Sequence, residues 1–215
     1  MVAVKKPRKN KRIEPWNKGV EVGPRDPFSP VEVARIKSML VKRGEAGLRD
    51  LALFAAAIDT MLHASDLLSL TVKHVRQRNG AMRDAIELET AGRGRTVRCT
   101  ISKPTRTILE NWITQSGKKP GDHLFTALTR GHSKPLTARQ LSRLVKAWAA
   151  AIGLDPVAYG TESLRRTRAM HIVSKTGNLE AVRILLGHTD IASTARYLGE
   201  IQQPDPFAVS RAHEI

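Results

Sequence analysis

Only one cysteine, Cys99, occurs in 215 residues. That excludes an internal disulfide and a cysteine-rich metal site, and a reducing cytoplasm fits best. Long apolar runs are also missing. The longest, residues 51–58, is eight residues, far below the roughly 20 needed to cross a bilayer. The N-terminus is basic but carries no apolar segment of the secretory type. Aromatic residues make up 4% of the chain and tyrosine occurs twice, as Tyr159 and Tyr197. A core must therefore be built from Leu, Val, Ile and Ala. Acidic residues are scarce as well, 20 against 36 Lys and Arg, giving a net charge of +16. An excess of that size predicts a polyanionic partner, either nucleic acid or an anionic membrane face.

The length suits one packed domain with an appendage. Residues 1–27 read as a basic arm, with Lys5, Lys6, Arg8, Lys9, Lys11, Arg12, Lys18 and Arg25 against three acidic residues, a net +5. Its first half has little apolar surface to bury and is expected to order only on a partner. Neutralising DNA phosphates with such an arm releases counterions and makes affinity salt-dependent. Trp16, within Pro15-Trp16-Asn17-Lys18-Gly19, either packs on the domain or lies against sugar and base.

Ser29-Pro30-Val31-Glu32 is a helix start, with Ser as cap, Pro in the first turn and Glu three residues on. Val31, Val33, Ile36, Met39 and Leu40 make its apolar face. A second helix is expected from about Leu48 and is apolar on more than one side. A short third helix is expected over 65–70, with Ser65 as its cap. Residues 72–76, 85–89 and 96–101 read as three strands separated by polar turns, a small antiparallel sheet against a helical core. Pro104 opens a further helix that closes at Gly117, and residues 123–126 read as extended. Thr137-Ala138-Arg139-Gln140 is another capping box. The helix behind it buries Leu141, Leu144, Val145 and Trp148. Its other face carries Arg139, Arg143 and Lys146, which is either a solvated charged face or a DNA-facing one.

Residues 161–199 read as three helices whose polar landmarks are Arg165, His188 and Tyr197, separated by 23 and 9 residues. A phenol can attack a phosphodiester while a guanidinium and an imidazole stabilise the charge that develops on the phosphoryl oxygens. Tyr159, in a turn-like lead into the Arg165 helix, is expected to pack. Tyr197 lies near a helix end, where a phenol can project outwards.

Leu164-Arg165-Arg166-Thr167, Leu186-Gly187-His188 and Thr194-Ala195-Arg196-Tyr197 resemble, in order and spacing, the C-terminal signature of the tyrosine recombinases, or phage integrases. The resemblance runs across nearly the whole chain. It implies an α+β, mostly helical catalytic domain with a small antiparallel sheet over 28–205, followed by a tail, 206–215. The separate N-terminal helical domain that many relatives use to close around DNA is expected to be lacking. The chemistry implied is site-specific cutting and rejoining of DNA: Tyr197 attacks the scissile phosphate, forms a 3′-phosphotyrosyl link and frees a 5′-hydroxyl. No metal or cofactor is required, because the adduct conserves bond energy. Arg165 and His188 would hold the phosphate, with Arg166 supporting the DNA backbone or an acidic neighbour. The partners implied are double-stranded DNA, further copies of the chain as a tetramer on DNA, and accessory DNA-binding proteins, in a bacterial, nucleoid-associated setting.

Three family positions are changed. The family's first catalytic arginine sits in Thr-Gly-Leu-Arg-x-Ser-Glu-Leu. Matching Thr60-Met61-Leu62-His63-Ala64-Ser65-Asp66-Leu67 puts His63 there; protonated, it would give one charge-assisted bond in place of a fork. The hairpin lysine of Lys-Thr-Gly-Arg aligns with Gly92 in Gly92-Arg93-Gly94-Arg95, leaving Arg93 or Arg95 to reach the leaving oxygen. The His or Lys three residues before the second arginine is Glu162, either an acceptor for the Tyr197 proton or a support for His188. These changes keep a second reading open: a catalytically weakened relative that binds DNA as a regulator or accessory factor. A generic RNA-binding protein would account for the charge but not for the motifs.

Overall fold

The computed structural model describes residues 24–89, 96–127 and 134–199. The expected arm residues from Lys5 to Lys18, and Arg93, lie outside them. Eleven elements follow in order: α1 (Pro30–Val41), α2 (Gly44–Thr60), α3 (Ala64–Ser69), α4 (Val72–Val75), β1 (Ala85–Glu89), β2 (Thr96–Thr100), α5 (Lys103–Ser116), α6 (Ala138–Ala151), α7 (Thr161–Thr176), α8 (Leu179–Leu186) and α9 (Ile191–Leu198). This is a mostly helical α+β fold with a small two-stranded antiparallel sheet. Among the described residues, no helix is long and apolar enough to cross a membrane.

Helix α2 is the hub. It buries residues around its whole circumference, from Gly47 to Thr60, and packs against α1, α5 and α7. Its first turn is pressed against the end of α1. A Cβ on Gly47 would sit 2.1 Å from the Leu40 carbonyl oxygen and 2.6 Å from the Arg43 Cβ, so only glycine lets the two helices meet at this corner. The helix therefore starts at Gly44, four residues earlier than the apolar pattern suggests. Inside the core, Asp50 accepts from Arg49 at 2.6 Å and from the Trp148 indole at 3.3 Å, and Arg49 also donates to the Thr126 carbonyl. This network ties α2 to α6 and to the extended bridge before it.

The capping boxes at Ser29 and Thr137 form as expected, and β1 and β2 pair in register, Ala85 opposite Thr100 and Glu89 opposite Thr96. Three expectations are corrected. Residues 72–76 are not a strand: Thr71 caps α4, with its amide on His74 Nδ1 at 3.0 Å, and Val72 and Val75 are both buried one turn apart. The i, i+3 spacing of Val72 and Val75 puts both on one face of a helical turn, whereas in a strand they would face opposite sides, and the cap settles it. Helix α3 begins after His63 rather than at Ser65 and has no side-chain cap. Val31 faces solvent, while Ile36 and Leu40 carry the burial of α1.

The main core runs from Phe28 to Leu164. A second cluster of Met61, Ala169, Val173, Val182, Leu186 and Leu198 lies among α7, α8 and α9. Met61 enters it from the end of α2 in the left-handed region, φ 53°, which turns the chain so that His63 faces α7. Residues 24–27 lie against the domain: Asp26 N–H donates to the Ala158 carbonyl at 3.0 Å and Arg25 to that of Val157.

A Gly→Ala change inside a helix ordinarily stabilises by up to about 1 kcal/mol. At Gly47 the sign should reverse, with a loss of about 1–3 kcal/mol from overpacking. Urea unfolding of Gly47→Ala measures it, and an unchanged or raised midpoint would contradict this account of the α1–α2 corner.

Candidate active site

The site is built on α7. Arg165 is buried, 7% exposed, yet both ends of its guanidinium are engaged. Nη2 donates to the Leu186 carbonyl at 2.6 Å, and Nη1 lies 2.9 Å from His63 Nε2 and 3.3 Å from Nδ1. A guanidinium only donates, so the His63 nitrogen facing it carries a lone pair. His63 thus stands beside Arg165, where the alignment places it, with its ring nitrogens facing the guanidinium. Leu186 is the last residue of α8, whose final carbonyls lack helical partners. Arg165 therefore caps α8 at the point where Gly187, at φ 69°, turns the chain to His188.

Arg166 was expected among the DNA contacts, and its position corrects that. It is 5% exposed, with Nη1 donating to the Arg25 carbonyl and Nη2 to that of Leu198 at 2.9 Å. One residue along a helix rotates a side chain by about 100°, which turns Arg166 toward α9 as Arg165 turns toward α8. It caps α9 and stands 5.9 Å from the centre of the Tyr197 ring. Arg139, Arg143 and Lys146 are exposed on α6.

His188 is half-buried, its Nδ1 3.0 Å from the Thr194 hydroxyl. Burial and the Arg165 charge lower its pKa, opposed by Asp190 and Glu162. Its ring meets that of Tyr197 edge to face, with centroids 5.4 Å apart. The Tyr197 hydroxyl does not project outwards; it is buried and makes no hydrogen bond. Burial above all, then Glu162 in the first turn of α7, pushes the phenol well above its ordinary range, against the opposing pull of Arg165 and Arg166. Tyr159 packs as expected, stacked on Phe28 at 4.5 Å.

A cavity of about 340 Å³ opens beside Arg165, lined by His63, Asp59, Gly187, β2 and Arg168. Arg168 was not singled out from the sequence. It follows Arg165 by one turn on the same face and lies 3.9 Å from Asp59, a spacing legible once α7 is drawn as a helix. Thr194 was legible only as part of a motif; its contact with His188 needs the α8–α9 turn. Among the described residues, no cluster of His, Cys, Asp and Glu is arranged to hold a metal.

Comparison with known proteins agrees with this architecture. XerD, a tyrosine recombinase of Xanthomonas axonopodis pv. citri (strain 306), is 28% identical over 167 residues, which cover 71% of this chain and 51% of XerD. The probable integrase/recombinase YoeC of Bacillus subtilis (strain 168) is 28% identical over 169 residues, covering 78% of this chain and 85% of YoeC. The chain thus spans about half the length of XerD. Among solved structures, the XerH site-specific recombinase in its post-cleavage complex matches with a TM-score of 0.68 at 20% identity, covering 88% of this chain and 54% of XerH. The catalytic domain of bacteriophage HP1 integrase matches at 0.52 and 18% identity, covering 80% of this chain and 86% of that domain. At such identities the structural likeness carries the fold alone. The sequence model of the phage integrase family matches residues 29–203, and the chain belongs to that family.

Proposed function

We propose that this chain is a site-specific DNA strand transferase that cuts and rejoins double-stranded DNA through a 3′-phosphotyrosyl link to Tyr197, working as a homo-oligomer on DNA. The observation that carries this reading is that Arg165 of α7 holds the end of α8 two residues before His188, whose ring meets that of Tyr197 on α9. The XerH structures were obtained with a difH substrate in pre-cleavage and post-cleavage complexes, and the Tn1549 integrase with circular intermediate DNA. Carried to this chain, those partners match a net charge of +16 and the exposed cations of α6.

In this reading the phosphate enters beside Arg165. Its oxygens compete with His63 for Nη1, and a guanidinium fork suits two phosphoryl oxygens. His188 donates through Nε2, since Thr194 holds Nδ1. The phenol attacks phosphorus in line with the 5′-oxygen. Before that, the hydroxyl must leave the cover it has here, and DNA binding supplies the displacement.

Two observations favour the second reading, a weakened recombinase-like DNA binder. His63 accepts from Arg165 instead of adding a second guanidinium, and the hydroxyl is covered. Trapping on nicked DNA, after the site is found by footprinting, separates the two. The enzyme reading expects a covalent adduct on denaturing gels that Tyr197→Phe abolishes. Arg165→Lys should slow it by about 10²–10³, the usual cost of a lost preorganised donor, and His63→Arg should accelerate it by a factor approaching that range. DNA binding with no adduct at the footprinted site would establish the binder.

The capping by Arg166 gives a separate expectation. Arg166→Leu leaves the Leu198 carbonyl without its donor, a local cost of about 1–3 kcal/mol. Amide exchange over residues 191–198 should accelerate by roughly the corresponding one to two decades while α2 is unaffected. Equal acceleration across the domain would mean that Arg166 supports the fold generally.

A further inference from the structure

We infer that residues 25–28 position the Tyr197 phenol: acting through Arg166, this segment fixes the end of α9 and holds the hydroxyl under cover. The inference rests on the phosphotyrosyl reading above, from which Tyr197 takes its role. The segment is fastened along its length. Arg25 donates from its side chain to the Val157 carbonyl, Asp26 N–H to that of Ala158 at 3.0 Å, and Phe28 N–H to the Thr167 hydroxyl at 2.9 Å. Phe28 is 1% exposed, stacked on Tyr159 and edge-on to Phe54, and Ser29 then caps α1. The peptide joining Arg25 to Asp26 is the point of contact. A trans peptide is planar, so its N–H and C=O point in opposite directions. The N–H reaches the Ala158 carbonyl, and the C=O accepts from Arg166 Nη1. The other arm of that guanidinium, Nη2, donates to the Leu198 carbonyl at 2.9 Å. Leu198 follows Tyr197 directly, and the guanidinium stands 5.9 Å from the centre of the Tyr197 ring.

The guanidinium has no spare acceptor. Arg166 is 5% exposed, and its Nε is already buried without a partner among the described residues. Its donors form a rigid planar fork, so Nη1 and Nη2 cannot be re-aimed independently. If the Arg25 carbonyl moves away, one of two things follows. Either a second buried N–H of Arg166 is left unmet, which is costly, or the fork turns to follow the carbonyl and leaves Leu198. Both loosen the last turn of α9, an eight-residue helix too short to hold that turn by itself. No side chain of residues 25–28 has to touch Tyr197 for this; a backbone carbonyl does the holding.

The test reads the cover over the phenol directly, in the full chain without DNA. The rate at which N-acetylimidazole acetylates Tyr197 is followed by peptide mass analysis, with amide exchange over α2 measured alongside. Asp26→Pro removes the N–H that anchors the 25–26 peptide, and Arg166→Lys removes the fork. Each should speed acetylation of Tyr197 by about tenfold or more, the equivalent of one lost hydrogen bond to a charged group, with α2 exchange unchanged. Because the segment acts through Arg166, the double variant should be no faster than the faster single one. Arg25→Ala, which removes only the side-chain anchor at Val157, should shift the rate the same way by a smaller factor, and it decides the matter if Asp26→Pro does not fold. An unchanged Tyr197 rate in the segment variants would overturn the inference. So would rates that multiply in the double variant, or an equal acceleration of α2. Adduct trapping on nicked DNA is read separately: a chain with the expected acetylation rates and no adduct loses the phosphotyrosyl reading while the hold on the phenol stands.

Discussion

Two adjacent arginines on one helix hold the ends of two others, and the geometry of the site depends on that arrangement. The last carbonyls of a helix have no internal partner and carry the negative end of its dipole. Arg165 answers this at α8 and Arg166 at α9. Both arginines are more than nine-tenths buried, and each donates to a carbonyl oxygen at the end of a neighbouring helix. His188 follows the Gly187 cap of α8 and Tyr197 lies in the last turn of α9. Both are therefore positioned from α7, the element that carries Arg165 itself. Helices of eight residues have little stability alone; α8 and α9 gain theirs from these caps and from the cluster of Met61, Ala169, Val173, Val182, Leu186 and Leu198.

Much of the scaffold could be read from the residues, because its signals are local. Ser29-Pro30-Glu32 and Thr137-Gln140 carry their own hydrogen bonds within four residues, and β1 and β2 carry their alternation within five. Signals that depend on distant partners were hidden. Residues 72–76 suit a strand or a turn of helix until Thr71 and His74 are seen to close a cap. Gly47 looks like an ordinary helical glycine until the Leu40 carbonyl is placed against it. At the site, the three motifs named Arg165, His188 and Tyr197 but not their states. That Arg166 faces inward follows from where the chain returns at Leu198, 32 residues on. That the phenol is covered follows from how α9 sits on α7, and no spacing rule records it.

Charge in the site follows the same logic. A chain of net +16 folds Arg165, Arg166 and His188 close together, and the arrangement limits their repulsion in two ways. Burial and Arg165 lower the pKa of His188, which leaves it neutral around pH 7. His63 lies against Arg165 at a position where a second guanidinium would have added a fixed charge. On the proposed reading an incoming phosphate would change this balance: its negative charge would favour protonation of nearby imidazoles and would compete for the hydrogen bonds that the carbonyl of Leu186 and the ring of His63 now receive.

On the same reading, that exchange would link substrate capture to the order of the proposed nucleophile. Arg165 cannot turn both Nη groups fully to a phosphate without loosening its hold on Leu186, and Leu186 belongs to the same small cluster as Leu198, one residue from Tyr197. A shift at the end of α8 would then pass through the shared apolar contacts to the end of α9, where Arg166 also holds the Leu198 carbonyl. In the proposed enzyme the covered hydroxyl would be the resting state of a site whose guanidiniums donate to its own backbone. A phosphate that outcompeted those bonds would supply both the charge the cations lack and the displacement the phenol would need. A neutral analogue of the backbone would supply neither, since it gives Arg165 no reason to release the helix it caps.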